Sequence, residues 1–193
     1  MIEIDLEQGT EAWHEFRSTK IGASMCPTIM GVNPYQKAKS LWKELLGFNK
    51  PRCQTSAMSR GLELEPLARA FFECKTGLHM EPVVAIHSAI DYMSASFDGM
   101  TKDRKNALEI KCNGEKNHSI ALSGNVPISH MYQMQHQLFV CDLKEMFYLS
   151  FDGEDGIIIK VKRNDILIET ILKEEERFFY CWQNFISPDL IAA

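Results

Sequence analysis

The sequence has no apolar run approaching the roughly 20 residues that a helix needs to span a bilayer. Its first residues include Glu3, Asp5 and Glu7, not the basic-then-apolar pattern of a secretory signal. Both absences predict a soluble, cytoplasmic protein with no membrane partner. The six cysteines (Cys26, Cys53, Cys74, Cys112, Cys141 and Cys181) form no Cys-x-x-Cys pair. That spacing argues against a zinc site or an iron–sulfur cluster and predicts reduced, buried thiols. A Gly-x-x-x-x-Gly-Lys-Ser/Thr loop is also missing, which excludes an ATP-driven motor as far as motifs can. No low-complexity tract, repeat or Pro/Gly-rich linker divides the 193 residues, so residues 1–193 read as a single domain.

What is present suffices for a core: 45% of the residues are hydrophobic and 24% charged. The net charge of −5 is unevenly spread. From Arg17 to Arg60 there are eight Lys/Arg residues against one acid, Glu44, while acids gather later, as in Glu174-Glu175-Glu176. Such an uneven field can draw a polyanion to one face, although each lysine taken singly also fits an ordinary surface role.

The most informative stretch runs from Ser94 to Cys112. It predicts a hairpin in which Asp98 ends one strand before a turn at Gly99, and Glu109-Ile110-Lys111 lies in the next. Alternation turns Glu109 and Lys111 one way and Leu108, Ile110 and Cys112 into a core. Two carboxylates converging on one spot repel each other unless a cation sits between them. Their hard oxygens suit Mg²⁺ or Mn²⁺, and a lysine beside them can act on a water aimed at phosphorus. An acid-x-Lys triplet alone is common; it recurs at Glu73-Cys74-Lys75, Asp103-Arg104-Lys105 and Asp142-Leu143-Lys144. Only Glu109-Ile110-Lys111 lies in an apolar strand with a second acid delivered to it.

Periodicity and punctuation predict the rest. Thr10 caps a short helix ending near Arg17, with Trp13 and Phe16 on its buried side. Ile21 opens a second helix reaching about Met30, and Ser40 caps a third from Leu41 to Leu46. A helix over residues 56–76 contains Pro66, which either kinks or divides it. Strands follow over 83–87, 92–97 and 107–112, then a helix from Ser129 to Val140. A hairpin (145–151 and 156–162) and a last helix from Asn164 to about Phe185 complete an α/β (α+β) domain.

Three further clusters carry polar residues in suggestive places. Arg17 offers a bidentate fork for a phosphate, and Ser24 a hydroxyl near a helix N-terminus, though taken alone a surface ion pair and a simple cap are the preferred readings. Glu65 shares a helical stripe with Leu62 and Arg69, so it turns inward toward a metal or pairs with Arg69 at i+4. Gln133 shares a face with His136, Gln137 and Val140, so it turns toward the hairpin or lies on the surface. His130 and His136, six apart and off one face, do not form a metal pair.

In this order, Trp13…Arg17…Ser24, Arg60-Gly61…Glu65…Ala68-Arg69, Asp98-Gly99…Glu109-x-Lys111 and Gln133-x-Gln135 resemble the phage lambda-type exonuclease family, which includes the YqaJ-type viral recombinases. The resemblance covers roughly residues 10–140. It implies a restriction-endonuclease-like core of the PD-(D/E)xK type, with a mixed central sheet flanked by helices. It also implies Mg²⁺-dependent digestion of one strand of duplex DNA from the 5′ end, in support of recombination. Two Mg²⁺ per site are expected, with Mn²⁺ as a substitute. By position, Asp98, Glu109 and the Ile110 carbonyl become metal ligands, and Lys111 acts on the water. Glu65 and Gln133 complete the site, Arg17 and Ser24 take the 5′-phosphate, and Met58 matches a strand-separating wedge. Further implications are a ring-shaped homotrimer, a single-strand annealing partner and a phage or prophage origin in a bacterial host. Phe97 stands where the motif has proline, and Pro66 beside Glu65 leaves that carboxylate's aim open. A structure-selective endonuclease of the same fold and an inactive DNA-binding subunit remain alternatives.

Overall fold

The computed structural model describes residues 1–50, 55–112 and 114–190, with the side chains of Ala57 and Met58 outside the described set. In chain order the elements are β1 (Ile2–Ile4), α1 (Glu11–Arg17), β2 (Ile21–Gly22), α2 (Cys26–Ile29), α3 (Ala38–Leu45), α4 (Ser56–Thr76), β3 (Glu81–Ile86), β4 (Met93–Met100), β5 (Ala107–Lys111), α5 (Glu115–Leu122), α6 (Ile128–Cys141), β6 (Glu145–Phe151), β7 (Gly156–Lys162) and α7 (Asp165–Gln183). The strands form one seven-stranded mixed sheet, ordered β1-β3-β4-β5-β6-β7, with β2 added alongside β4. β5 and β6 run parallel, so the chain must cross over between them, and α5 and α6 make that crossing. The result is the expected mixed α/β fold with helices flanking a central sheet.

Side-chain alternation in β5 decides which helix covers which face. Leu108 and Ile110 pack with Ala68 and Phe72 of α4. On the other face Met134, Leu138 and Val140 of α6 pack against Ala95, Phe97 and Tyr148. Phe97, in the motif's proline position, is fully buried there, so an apolar core contact takes the place of a turn residue. A third cluster joins Ile21 and Ile29 to Leu41 and Trp42 of α3 and to Phe178 and Trp182 of α7.

Several local signals act as expected. The Thr10 hydroxyl accepts from Trp13 N, Asn164 caps α7 through Leu167 N, and Gly77 ends α4 with a φ of +71°. The helix over 56–76 runs unbroken through Pro66. Other expectations are corrected. Ile21 and Gly22 form a strand beside Met93 and Ser94, not the start of a helix. α3 begins at Ala38, and Ser40 is in its first turn, its N–H already bonded to Lys37 O. Trp13 and Phe16 are half-buried, and α1 has no fully buried residue. Cys74 is exposed and Cys112 half-buried, while Cys26, Cys141 and Cys181 are buried thiols. The short β1 and the crossover helix α5 also form, although the polar opening of α5, Glu-Lys-Asn-His-Ser, carries no apolar stripe.

The turn after Asp98 is corrected too. β4 continues to Met100, and the chain reverses over residues 101–106, where Thr101 N bonds Asn106 O and Arg104 takes a φ of +58°. Gly99 is needed for another reason. A Cβ there would lie 2.7 Å from the Met80 Cβ, so only glycine admits this close packing.

Candidate active site

The site forms where β4 and β5 part. They pair at Gly99–Leu108 and Met100–Ala107, and β2 pairs the same strand at Met93 and Ser94. Between these ladders helical side chains take the carbonyls along the open edge of β4. His136 Nε2 bonds Ser94 O at 3.0 Å, Gln137 Nε2 donates to Ser96 O at 3.2 Å, and Arg69 Nε donates to Asp98 O at 2.8 Å. Asp98 replaces a ladder bond with its side chain, its Oδ2 accepting the Ile110 N–H at 2.6 Å.

Glu109 sits opposite, only 2% exposed. Lys111 Nζ and Gln133 Nε2 (2.6 Å) meet its Oε1, and Gln137 Nε2 meets its Oε2. Burial and the neighbouring Glu109 charge push the Asp98 carboxyl well above the usual carboxylate range, against the opposing pull of Lys111 and the Ile110 N–H. For Lys111, burial favours the neutral amine, but Glu109 and Asp98 together outweigh it and hold the ammonium above its ordinary value. Two acids and one lysine therefore form a tight, mutually dependent group.

This group shares a pocket of about 140 Å³ with residues from the N-terminal segment, among them Trp13, Arg17 and Ser24. The Trp13 indole donates to Ser96 Oγ at 3.0 Å, anchoring α1 to β4. Arg17 Nη2 donates to Ser24 Oγ at 2.9 Å, and its guanidinium lies 4.3 Å from the Trp13 ring centroid. Thus a cationic fork and a hydroxyl face the same space as the two acids and the lysine.

Of the residues singled out from sequence, Asp98, Glu109, Lys111, Gln133, Arg17 and Ser24 line this pocket. Ile110 contributes the N–H that Asp98 accepts. Glu65 does not line the pocket; it pairs with Arg69 Nη2 at 2.5 Å, the simpler of its two readings. That pair still bears on the site, because Arg69 also holds Asp98 O and the Glu65 charge adds to the upward push on Asp98. The wedge expectation at Met58 falls on a side chain outside the described ones. Gln137 and Gln8, which donates to Phe97 O at 2.9 Å, were not selected by the motif. Gln137 lies one helical turn beyond Gln133, and that spacing was the available signal.

Cys26, His136 and Glu175 form a second, fully buried group whose ligand atoms all lie within 4.8 Å of one another. His136 Nδ1 lies 2.9 Å from both Glu175 oxygens, and its Nε2 is on Ser94 O. Burial, with the Glu175 charge, pushes the Cys26 thiol well up. Hydrogen bonds alone account for this trio, which fastens α7 through α6 to the start of β4.

A YqaJ-like viral recombinase domain model matches residues 12–144. The protein YqaJ of Bacillus subtilis (strain 168) is 27% identical over 179 residues, which is 90% of this chain and 56% of that protein. The chain thus spans a little over half the length of this curated relative. The crystal structure of an alkaline exonuclease, LHK-Exo, from Laribacter hongkongensis matches with a TM-score of 0.78 and 26% identity, covering 91% of this chain and 93% of that one. LHK-Exo in complex with dAMP matches at 0.77. A phage-related exonuclease from Haemophilus somnus 129PT shares the fold at a TM-score of 0.63 and 14% identity, over 86% of this chain and 94% of that one. With that domain model matching well over half of its length, the chain belongs to the YqaJ-like viral recombinase domain family.

Proposed function

We propose that this protein is a DNA nuclease of the alkaline exonuclease type. In this reading it is a Mg²⁺-dependent 5′-to-3′ exonuclease that digests one strand of linear duplex and leaves a 3′ overhang for strand-annealing recombination. One observation carries the reading: Asp98, Glu109 and Lys111 share a single pocket with Arg17 and Ser24. In this reading they would act together, the acids and lysine as hydrolytic groups and Arg17 with Ser24 as an anion clamp, on one phosphodiester and the end preceding it. Likeness to LHK-Exo, an alkaline exonuclease, supports the same chemistry.

The donor set fits divalent metal. Asp98 Oδ1 takes no hydrogen bond among the described residues, and burial beside Glu109 disfavours the Asp98 carboxylate unless a positive charge offsets it. Asp98 and Glu109, with the Ile110 carbonyl, would hold up to two Mg²⁺, or Mn²⁺ in their place. When bound, the ion supplies charge to the scissile phosphate and lowers the pKa of the attacking water. Lys111, held by Glu109, would orient that water and offset charge developing on the phosphate oxygens. Gln133, already on Glu109, would keep the acid aligned, and Glu65 would do so at one remove through Arg69 and the Asp98 backbone. Arg17 and Ser24 would clamp the terminal 5′-phosphate by charge-assisted hydrogen bonds. Water attacks phosphorus, the 3′ oxygen of the terminal nucleotide leaves, and the shortened strand carries a new 5′-phosphate. A homotrimeric ring, a single-strand annealing partner and action in the cytoplasm of a bacterial host of phage or prophage DNA belong to the same proposal.

The test is digestion of end-labelled linear duplex with Mg²⁺ or with chelator, alongside nicked and closed circular DNA. Stepwise release of mononucleotides from linear ends, lost with chelator, is expected. Cutting of closed circles would favour a structure-selective endonuclease of the same fold. DNA binding without any cleavage would mark an inactive DNA-binding subunit.

A further inference from the structure

The two oxygens of the nearly buried Glu109 are held in different ways. Oε1 meets Lys111 Nζ and Gln133 Nε2, and both of those residues line the pocket. Oε2 meets Gln137 Nε2, and Gln137 is fully buried and no part of the pocket wall. The same nitrogen gives its other proton to Ser96 O on the open edge of β4. Both amide protons are therefore committed, one to β5 and one to β4, across the gap where the strands part. The Oε1 of Gln137 is buried with no partner among the described residues. Turning the amide over would set its oxygen against two acceptors, so the orientation follows from Glu109 and Ser96 even though it strands a carbonyl.

We propose that Gln137 is a positioning residue: it commits Glu109 Oε2 to the protein and leaves Oε1 as the one carboxylate oxygen offered to the pocket. A carboxylate pinned this way cannot turn to take an ion with both oxygens. Single-oxygen ligation suits a small octahedral ion such as Mg²⁺ or Mn²⁺, whereas Ca²⁺ readily accepts two oxygens from one carboxylate. Gln137 thus favours small divalent ions over Ca²⁺ without touching them. The inference rests on the nuclease reading above.

The test is calorimetric titration of the DNA-free protein with Mn²⁺ and with Ca²⁺, for wild type, Gln137→Met and Gln137→Asn. Thermal melts identify folded variants, and the Asn variant carries the comparison if the Met variant does not fold. Loss of this indirect support should weaken Mn²⁺ binding by about 10- to 100-fold and narrow the Mn²⁺-over-Ca²⁺ preference. In a Glu109→Gln background the same Gln137 change should add no further loss, because it acts through Glu109. An unchanged Mn²⁺ affinity and ion preference, or an equal loss in the Glu109→Gln background, overturns the proposal. Failure of the underlying reading looks different: wild-type protein would then bind no Mn²⁺ at all.

Discussion

Asp98 takes the Ile110 N–H onto its side chain, at 2.6 Å, where a continuous ladder would have put a β4 carbonyl. That single bond binds one acid of the site to the strand carrying the other. It gives Asp98 a structural duty through Oδ2, separable from the chemical duty that the proposed function assigns to its charge.

The two duties separate by substitution. Asp98→Asn keeps an oxygen for the Ile110 N–H but removes the charge, while Asp98→Ala removes both. Both variants should lose Mn²⁺ affinity by more than the roughly 10- to 100-fold typical of indirect ligand support. Only Asp98→Ala should lose stability as well, by about 1–3 kcal/mol for an unpaired N–H. Calorimetry and thermal melts on the same samples check this, and wild-type metal affinity in both variants would remove the proposed site.

Lys111 pairs with Glu109, and that acid has further donors, so the ammonium can be removed with Glu109 still held. Glu109 Oε1 keeps Gln133 as a donor in Lys111→Ala. Cleavage should fall by about 10²- to 10⁴-fold or more, the usual worth of a positioned proton-transfer or electrostatic group, with DNA binding retained. A filter-binding assay run beside a single-turnover digestion separates the two, and near-normal cleavage would make Lys111 structural.

Stability should also depend on pH through His130. Its Nδ1 is 2.9 Å from the Tyr148 hydroxyl, and burial, helped by the Lys111 charge, pulls its pKa down to about 3. The unfolded chain, with an ordinary His near 6.5, binds the proton more readily than the folded one between these values. Its contribution is therefore complete above pH 6.5 and is lost as pH falls toward 3. The full effect is on the order of a few kcal/mol. Melting temperature against pH for wild type and His130→Gln checks it: the variant should show a flatter decline over that window, and parallel curves would contradict the assignment.

Much of this architecture was legible in the chain. The strand holding Leu108–Lys111, the hairpin over 145–162 and the caps at Thr10 and Asn164 follow local signals that survive tertiary packing. Asp98, Glu109 and Lys111 meet because strand period and pairing register are short-range properties. Less visible were features that depend on distant partners. Ile21-Gly22 becomes a strand only because β4 offers it an edge, and Gly99 marks the approach of Met80, not a turn. Gln137 looks like Gln133 until the parting of β4 and β5 shows what each amide holds. The join between Arg17 and the acids came from family likeness; no local pattern predicts that the Trp13 indole ties α1 to Ser96.

That join is the centre of the account, and its most direct test is the rate of digestion of 3′-end-labelled linear duplex bearing either a 5′-phosphate or a 5′-hydroxyl. The comparison is between wild type and Arg17→Ala, with Mg²⁺ present. A partly desolvated, charge-assisted contact to phosphate is worth on the order of 2 kcal/mol, or about 30-fold in rate. Wild type should prefer the phosphorylated end by about that factor, and Arg17→Ala should lose the preference by slowing on that end alone. An equal slowing on both ends, with an altered salt dependence, would make Arg17 a general backbone contact and contradict the reading of this pocket as a 5′-end-directed exonuclease site.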